Sequence, residues 1–213
     1  MEDRGVHFAP RIGFAYDVFG NGKTAIRGGL GTFYNRMAGG MVFFPTCYQP
    51  PFVENPVIYF GTLDKLLESS GVVFPSSVLG LDRQGKIPTV MNYSFGIQQD
   101  IGLGTVVDIA YVGSLGRHLL WQRNLNAIPL GSNFRPENID PTTKKPYPAA
   151  FLRSYSGYQN INFREAGSSS NYHSLQVTAT RRFARGFEFG AAWTWSKAMD
   201  FNDNDDNEVS TLV

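Results

Sequence analysis

Few residues in this 213-residue chain are spaced for chemistry, and each candidate pattern breaks at a residue it needs. Gly22-Lys23-Thr24 is the ending of a phosphate-binding loop, G-x-x-x-x-G-K-[ST], in which backbone N–H groups wrap phosphates before a helix begins. The first Gly of that pattern falls at Asp17, whose carboxylate would repel a phosphate. Gly28, Gly29 and Gly31 sit where the helix interior should be, each costing roughly 1 kcal/mol. The acidic stretch DFNDNDDNE from Asp200 invites a calcium-loop reading, which needs Gly at its sixth position and Glu at its twelfth. Those positions hold Asp205 and Thr211. His7, His118 and His173 show no paired ligand spacing. Cys47 is the only cysteine, which excludes an internal disulfide and a Cys-cluster metal site. No G-x-S-x-G nucleophile elbow is present. The expectation is a protein that is not an enzyme, with no catalytic residue, no metal site and no cofactor.

The elements around Gly22 give these residues a different meaning. Ile12, Phe14 and Tyr16 alternate with Arg11, Gly13, Ala15 and Asp17. Beyond the turn, Ile26, Leu30, Thr32 and Tyr34 share one parity with Gly28. Alternation of this kind places one set of side chains on one face of a strand. Asn21-Gly22 between the two runs signals a hairpin, with positive φ expected at both residues. Four more strands are expected by the same alternation, at 92–101, 105–113, 172–183 and 186–197. The fold class predicted is all-β, an antiparallel up-and-down meander of about six strands. One possible helix, TLDKLLESS from Thr62, lies in the first long connection.

Loop length separates the two edges of this sheet. Three connections are short: FGNGK, GLG at 102–104 and ARG at 184–186. Two are long, at about 35–90 and 114–171, and a polar stretch at 200–213 reads as a third, truncated. Short and long connections alternate, so all tight turns fall on one edge. Transmembrane β-barrels have this asymmetry, with short periplasmic turns and long outer loops. Loops of such length are uncommon in compact soluble domains. No run of 18 apolar residues exists, so no transmembrane helix is expected, but a β-strand crosses with about 10 alternating residues. Net charge is +1, which gives no general attraction to nucleic acid. Aromatic residues make up 14% of the chain and Gly numbers 23, a composition suited to a turn-rich sheet with a wide apolar exterior. The N-terminus MEDRGVHFAP lacks the basic start and apolar core of a signal peptide. Six strands cannot close in lipid, because an open edge leaves backbone groups unsatisfied. A single domain over 1–213 is expected, as part of a larger outer-membrane barrel.

Four segments in order carry a resemblance: NYSFGIQQDI, VDIAYVGSLGRHL, SSNYHSLQV and FEFGAAWTWSKAMD, with FAPRIGFAYDVFGNGKTAIRGGLGTFYNR before them. From about Phe8 to Asp200 the chain resembles the barrel of TonB-dependent outer-membrane receptors. The closest group is the Oar-like one, whose members carry a carboxypeptidase-regulatory-like domain before plug and barrel. The resemblance implies a plugged barrel of about 22 strands, of which this chain spans roughly a quarter. It implies cell outer membrane localisation of the full-length parent. The partners it implies are outer-membrane lipid, a plug domain, TonB and an unknown ligand: an oligosaccharide, a peptide or a metal chelate. The mechanism it implies is energised uptake, with these strands as wall and loops.

Two sets of residues follow from strand parity. Arg27, Gln98, Asp108, Arg182 and Glu188 fall on polar faces and are expected to face the lumen. Tyr16, Tyr34, Tyr93, Tyr111, Trp193 and Trp195 fall on outward faces, toward their long-loop ends, as an interfacial aromatic girdle. A soluble or surface β-sandwich binding carbohydrate or protein, and a passive porin-like channel, remain the alternatives.

Overall fold

The computed structural model describes residues 5–35, 47–53, 77–82, 86–184 and 186–201. The expected helix from Thr62 and the acidic tail beyond Phe201 lie outside them. Among the described residues seven strands form one sheet: β1 (Arg11–Asp17), β2 (Thr24–Tyr34), β3 (Val78–Leu81), β4 (Thr89–Gly102), β5 (Thr105–Asn124), β6 (Ile161–Ala184) and β7 (Phe187–Met199). The order is β1-β2-β4-β5-β6, with β7 on β6 and β3 on the first residues of β6. The antiparallel meander is as the alternation predicts, and the sheet is not closed.

Three differences stand out. Strand β3 pairs in parallel with Ile161–Arg164, a seventh strand inside the first long connection that alternation did not reveal. Strands β5 and β6 run to 20 and 24 residues, so the second long connection shrinks from 114–171 to 125–160. The turn before β2 is not built on Asn21: the positive φ values are at Gly20 and Gly22. Asp17 closes this turn, its carboxylate accepting the backbone N–H of Phe19, Gly20 and Gly22 at 3.3, 3.1 and 2.7 Å. The amides that a phosphate would need are thus bonded to the very carboxylate that breaks the phosphate-loop pattern.

The chain divides into two compact units, Met1–Arg36 with Gln84–Leu120 and Ala166–Asp203, and Met37–Arg83 with Trp121–Glu165 and Asn204–Val213. Among the described residues Ala166 is the single buried hydrophobic side chain. A soluble domain of this length would bury most of its Phe, Ile and Val side chains. Here Ile12, Phe14, Tyr16, Phe95, Ile97, Trp193 and Trp195 are 44–68% exposed. They lie on one face, because Ile12 is opposite Leu30, Leu30 opposite Tyr93, and Tyr16 opposite Ile26, which is opposite Ile97. Such a face is stable only against an apolar medium, since among the described residues no packed layer of protein lies over it.

The ladder also fixes the strand inclination in the first unit. The last pairs of the three hairpins are Asp17–Ala25, Gly102–Thr105 and Ala184–Phe187. Thr24 is opposite Gln99, and the Arg182 N–H donates to the Gly104 carbonyl at 3.0 Å. On this common ladder the second hairpin ends three to four residues beyond the first and the third about two beyond the second, at ~3.3 Å per residue and ~4.8 Å per strand. With the turns in one plane, the strands incline by about 40°, within the ~35–45° of transmembrane barrels.

Candidate functional site: the two faces of the wall

The face opposite the apolar one is polar and small. Gly13, Gly29 and Ser94 form one row across β1, β2 and β4. Their lack of bulk leaves an open cavity of ≈ 690 Å³ on this face. Its walls carry Arg11, Phe33, Asn92, Ser114 and Tyr172. Arg11 holds its guanidinium 4.5 Å from the centre of the Phe33 ring. The arrangement offers an aromatic platform, a cation and amide and hydroxyl groups on a wall, with no nucleophile–base pair.

The sequence-predicted polar residues all fall on this face. Arg27 is opposite Ala15 and Gly96, and Gln98 is opposite Ala25 and Asp108. Arg182 and Glu188 share the parity of Thr180 and Gly190, which pair with each other. The five are not gathered into one site. Gln98 and Asp108 are cross-strand neighbours, whereas Arg182 and Glu188 lie beside the third short turn. No ion pair joins any of them among the described residues. Asp17, Arg11 and Tyr172, which the parity argument passed over, make more of the local structure.

The aromatic candidates share the opposite face, but not one level. At ~40° of tilt, each residue along a strand rises ~2.5 Å, and each strand step from β1 toward β7 adds ~3 Å. Tyr34 and Trp195 then lie ~25 Å above the plane of the short turns, one apolar band away. Tyr93, Tyr111 and Trp193 lie lower, at roughly 16–18 Å. Tyr16 is a correction: it stands one residue before the turn-closing Asp17, at the short-turn rim and not at the long-loop end. The count from the turn decides its level, and parity alone does not carry that information.

The second unit holds a polar clamp that no motif announced. Asn126 is fully buried. Its Nδ2 donates toward the carbonyls of Tyr155, Tyr158 and Gln159 at 3.0, 3.2 and 2.8 Å, and its Oδ1 accepts the Tyr155 N–H at 2.9 Å. Arg153 Nη1 adds bonds to the carbonyls of Asn126 and Gln159 and to Asn160 Oδ1. The connection 125–160 is therefore tied at its base, while Phe134, Phe151 and Tyr155 remain more than half exposed. Further along it, Asp140 Oδ1 accepts the Thr142 N–H at 2.8 Å, and Thr143 Oγ1 donates to Asp140 Oδ2 at 2.9 Å. The backbone bond from Thr142, with the Thr143 hydroxyl behind it, holds the Asp140 carboxyl below its ordinary pKa. At the strand ends Arg123 pairs with Glu165 at 2.9 Å, and Arg164 Nε donates to Gln122 at 2.7 Å.

An inclined antiparallel wall with one lipid-type face and one polar face, short turns on one edge and long connections on the other, defines a β-barrel of the outer-membrane kind. Residues 1–212 match the family model described as an outer membrane beta barrel domain, and the chain belongs to that family. No curated protein matches it.

Proposed function

We propose that the chain forms wall strands and ligand-capturing loops of a TonB-dependent receptor, working with a plug and TonB to take up a ligand across the outer membrane. The observation that carries this reading is the clamped connection 125–160. A strand needs only ~9–11 residues to cross a membrane, yet β5 and β6 run to 20 and 24. Their far ends carry a connection whose base is fastened by Asn126 and Arg153 and whose aromatic side chains stay exposed. Fixed shape with exposed rings is what a capture surface needs, because ordering a loose loop costs binding energy. The polar-face cavity with Arg11, Phe33 and Tyr172 would then meet the ligand, an oligosaccharide, peptide or metal chelate, on its way through.

A passive channel is the competing outcome. Single-channel recording of the full-length parent in a planar bilayer separates the two. A plugged receptor stays closed at moderate voltage and conducts only when the plug is unfolded or removed. A steady open conductance in the native protein would refute the receptor reading.

A further inference from the structure

At one place on the outward face several polar side chains meet. His173 stands directly opposite Lys197 in the β6–β7 ladder, and both share the parity of Trp193, Trp195 and Met199. Tyr93 and Tyr111 reach the same spot from β4 and β5: their hydroxyls lie 3.1 and 2.9 Å from His173 Nδ1. Tyr93 gets there because Gly113, its ladder partner, has no side chain. A Cβ at Gly113 would fall 2.3 Å from the ring of Tyr93.

We propose that Lys197, His173, Tyr93 and Tyr111 form a binding site on the outside of the wall for the phosphate of a lipid headgroup. This rests on the barrel fold and is independent of the receptor reading. Hydrogen-bond counting carries the first part. A neutral imidazole and two hydroxyls hold three donor protons, yet both hydroxyls converge on a single ring nitrogen. If Nδ1 accepts, the ring proton is on Nε2; if Nδ1 donates, at least one hydroxyl proton is left over. Either arrangement presents a donor to the surroundings, which is costly in hydrocarbon without an acceptor. Lys197 supplies a cation beside it, the one charged residue on the outward parity of β7.

Depth carries the second part. By the same tilt, His173 and Lys197 lie ~25 and ~28 Å above the plane of the short turns, at the far edge of a ~25 Å apolar band. Arg181, also on the outward parity of β6, lies ~5 Å above that plane, over Phe187. Arg181 and Lys197 lie at opposite edges of the band. Beside Lys197 on the ladder stands His173, which holds the hydroxyls of Tyr93 and Tyr111, and headgroup phosphates are the anions found at that level.

The test uses the full-length protein in mild detergent, analysed by native mass spectrometry during titration with phosphatidic acid, and with phosphatidylcholine as the zwitterionic reference. Lys197→Gln and the Tyr93→Phe/Tyr111→Phe pair should each weaken retention of phosphatidic acid by roughly tenfold, the effect of losing hydrogen bonds to a charged group. The tyrosine pair keeps both rings and so keeps the packing. Lys144→Gln, the same change of charge in the connection 125–160, should change nothing. Added inorganic phosphate should not displace the lipid. Wild-type retention in both test variants, equal loss of phosphatidylcholine, or displacement by inorganic phosphate would each overturn the proposal, the last by showing a site for free phosphate.

Discussion

Replacing Asn126 by Ala should release the connection 125–160 while leaving the wall intact. The substitution removes the acceptor of the Tyr155 N–H and the donor shared by the carbonyls of Tyr155, Tyr158 and Gln159. Gln159 keeps Arg153 Nη1 at 2.9 Å, so three backbone groups lose their protein partner. A buried group left unpaired costs about 1–3 kcal/mol. The segment can open and let water satisfy these groups, which caps the loss at about 2–4 kcal/mol of local stability. At about 1.4 kcal/mol per decade, the Tyr155 amide should exchange with deuterium roughly 30- to 1,000-fold faster. The Ile26 amide in β2 should keep its wild-type rate. The assay is hydrogen–deuterium exchange read by peptide mass spectrometry on the protein in detergent. A Tyr155 rate within threefold of wild type would refute the clamp. Equal acceleration at Ile26 would refute the claim that the effect is local.

Gly22→Val should impair assembly of heat-resistant barrel, since φ at Gly22 is 72° and a β-branched residue resists it; Lys23→Ala should assemble normally, and neither protein should bind ATP in a titration. Asp17→Ala strips three amides of their acceptor in the same turn and should slow assembly even though the residue is only half-buried. The turn at Asp140 should be pH-sensitive in one direction only. Its carboxyl is depressed in the folded chain, so the stabilisation is complete above the unfolded pKa and fades as pH falls through the folded one. Protease cutting at Lys144-Lys145 should therefore rise only in acid below the ordinary carboxylate range, and Asp140→Asn should remove that dependence.

The part of the wall inside the lipid span was legible because lipid enforces alternation there. Strand β1 and strand β2 matched the parity of Ile12, Phe14, Tyr16 and Ile26 to the residue. Beyond that span the signal vanishes. In GRHLLWQRN of β5 and INFREAGSSSN of β6 no period of two in hydrophobicity runs along the strand, and the ladder between the strands decides. The parallel pairing of VLGL with Ile161–Arg164 has no local signature at all. The site residues divide in the same way. Parity assigned faces to Gln98, Asp108, Trp193 and Trp195, whereas the level of Tyr16 needed a count from the turn. His173 looked isolated because its partners Tyr93 and Tyr111 come from other strands. Asn126 is one polar residue in NLNAIP, and only the returning chain at 155–160 makes it a hub.

The central claim is that one face of this sheet meets lipid and the other does not, and β7 tests it most directly. Single cysteines placed at Trp193, Thr194, Trp195 and Ser196 in a Cys47→Ser background would carry a fluorophore in lipid vesicles. The account predicts quenching by brominated lipid at 193 and 195, with 194 and 196 quenched instead by aqueous iodide. Uniform quenching along the four positions, or lipid quenching at 194 and 196, would contradict it.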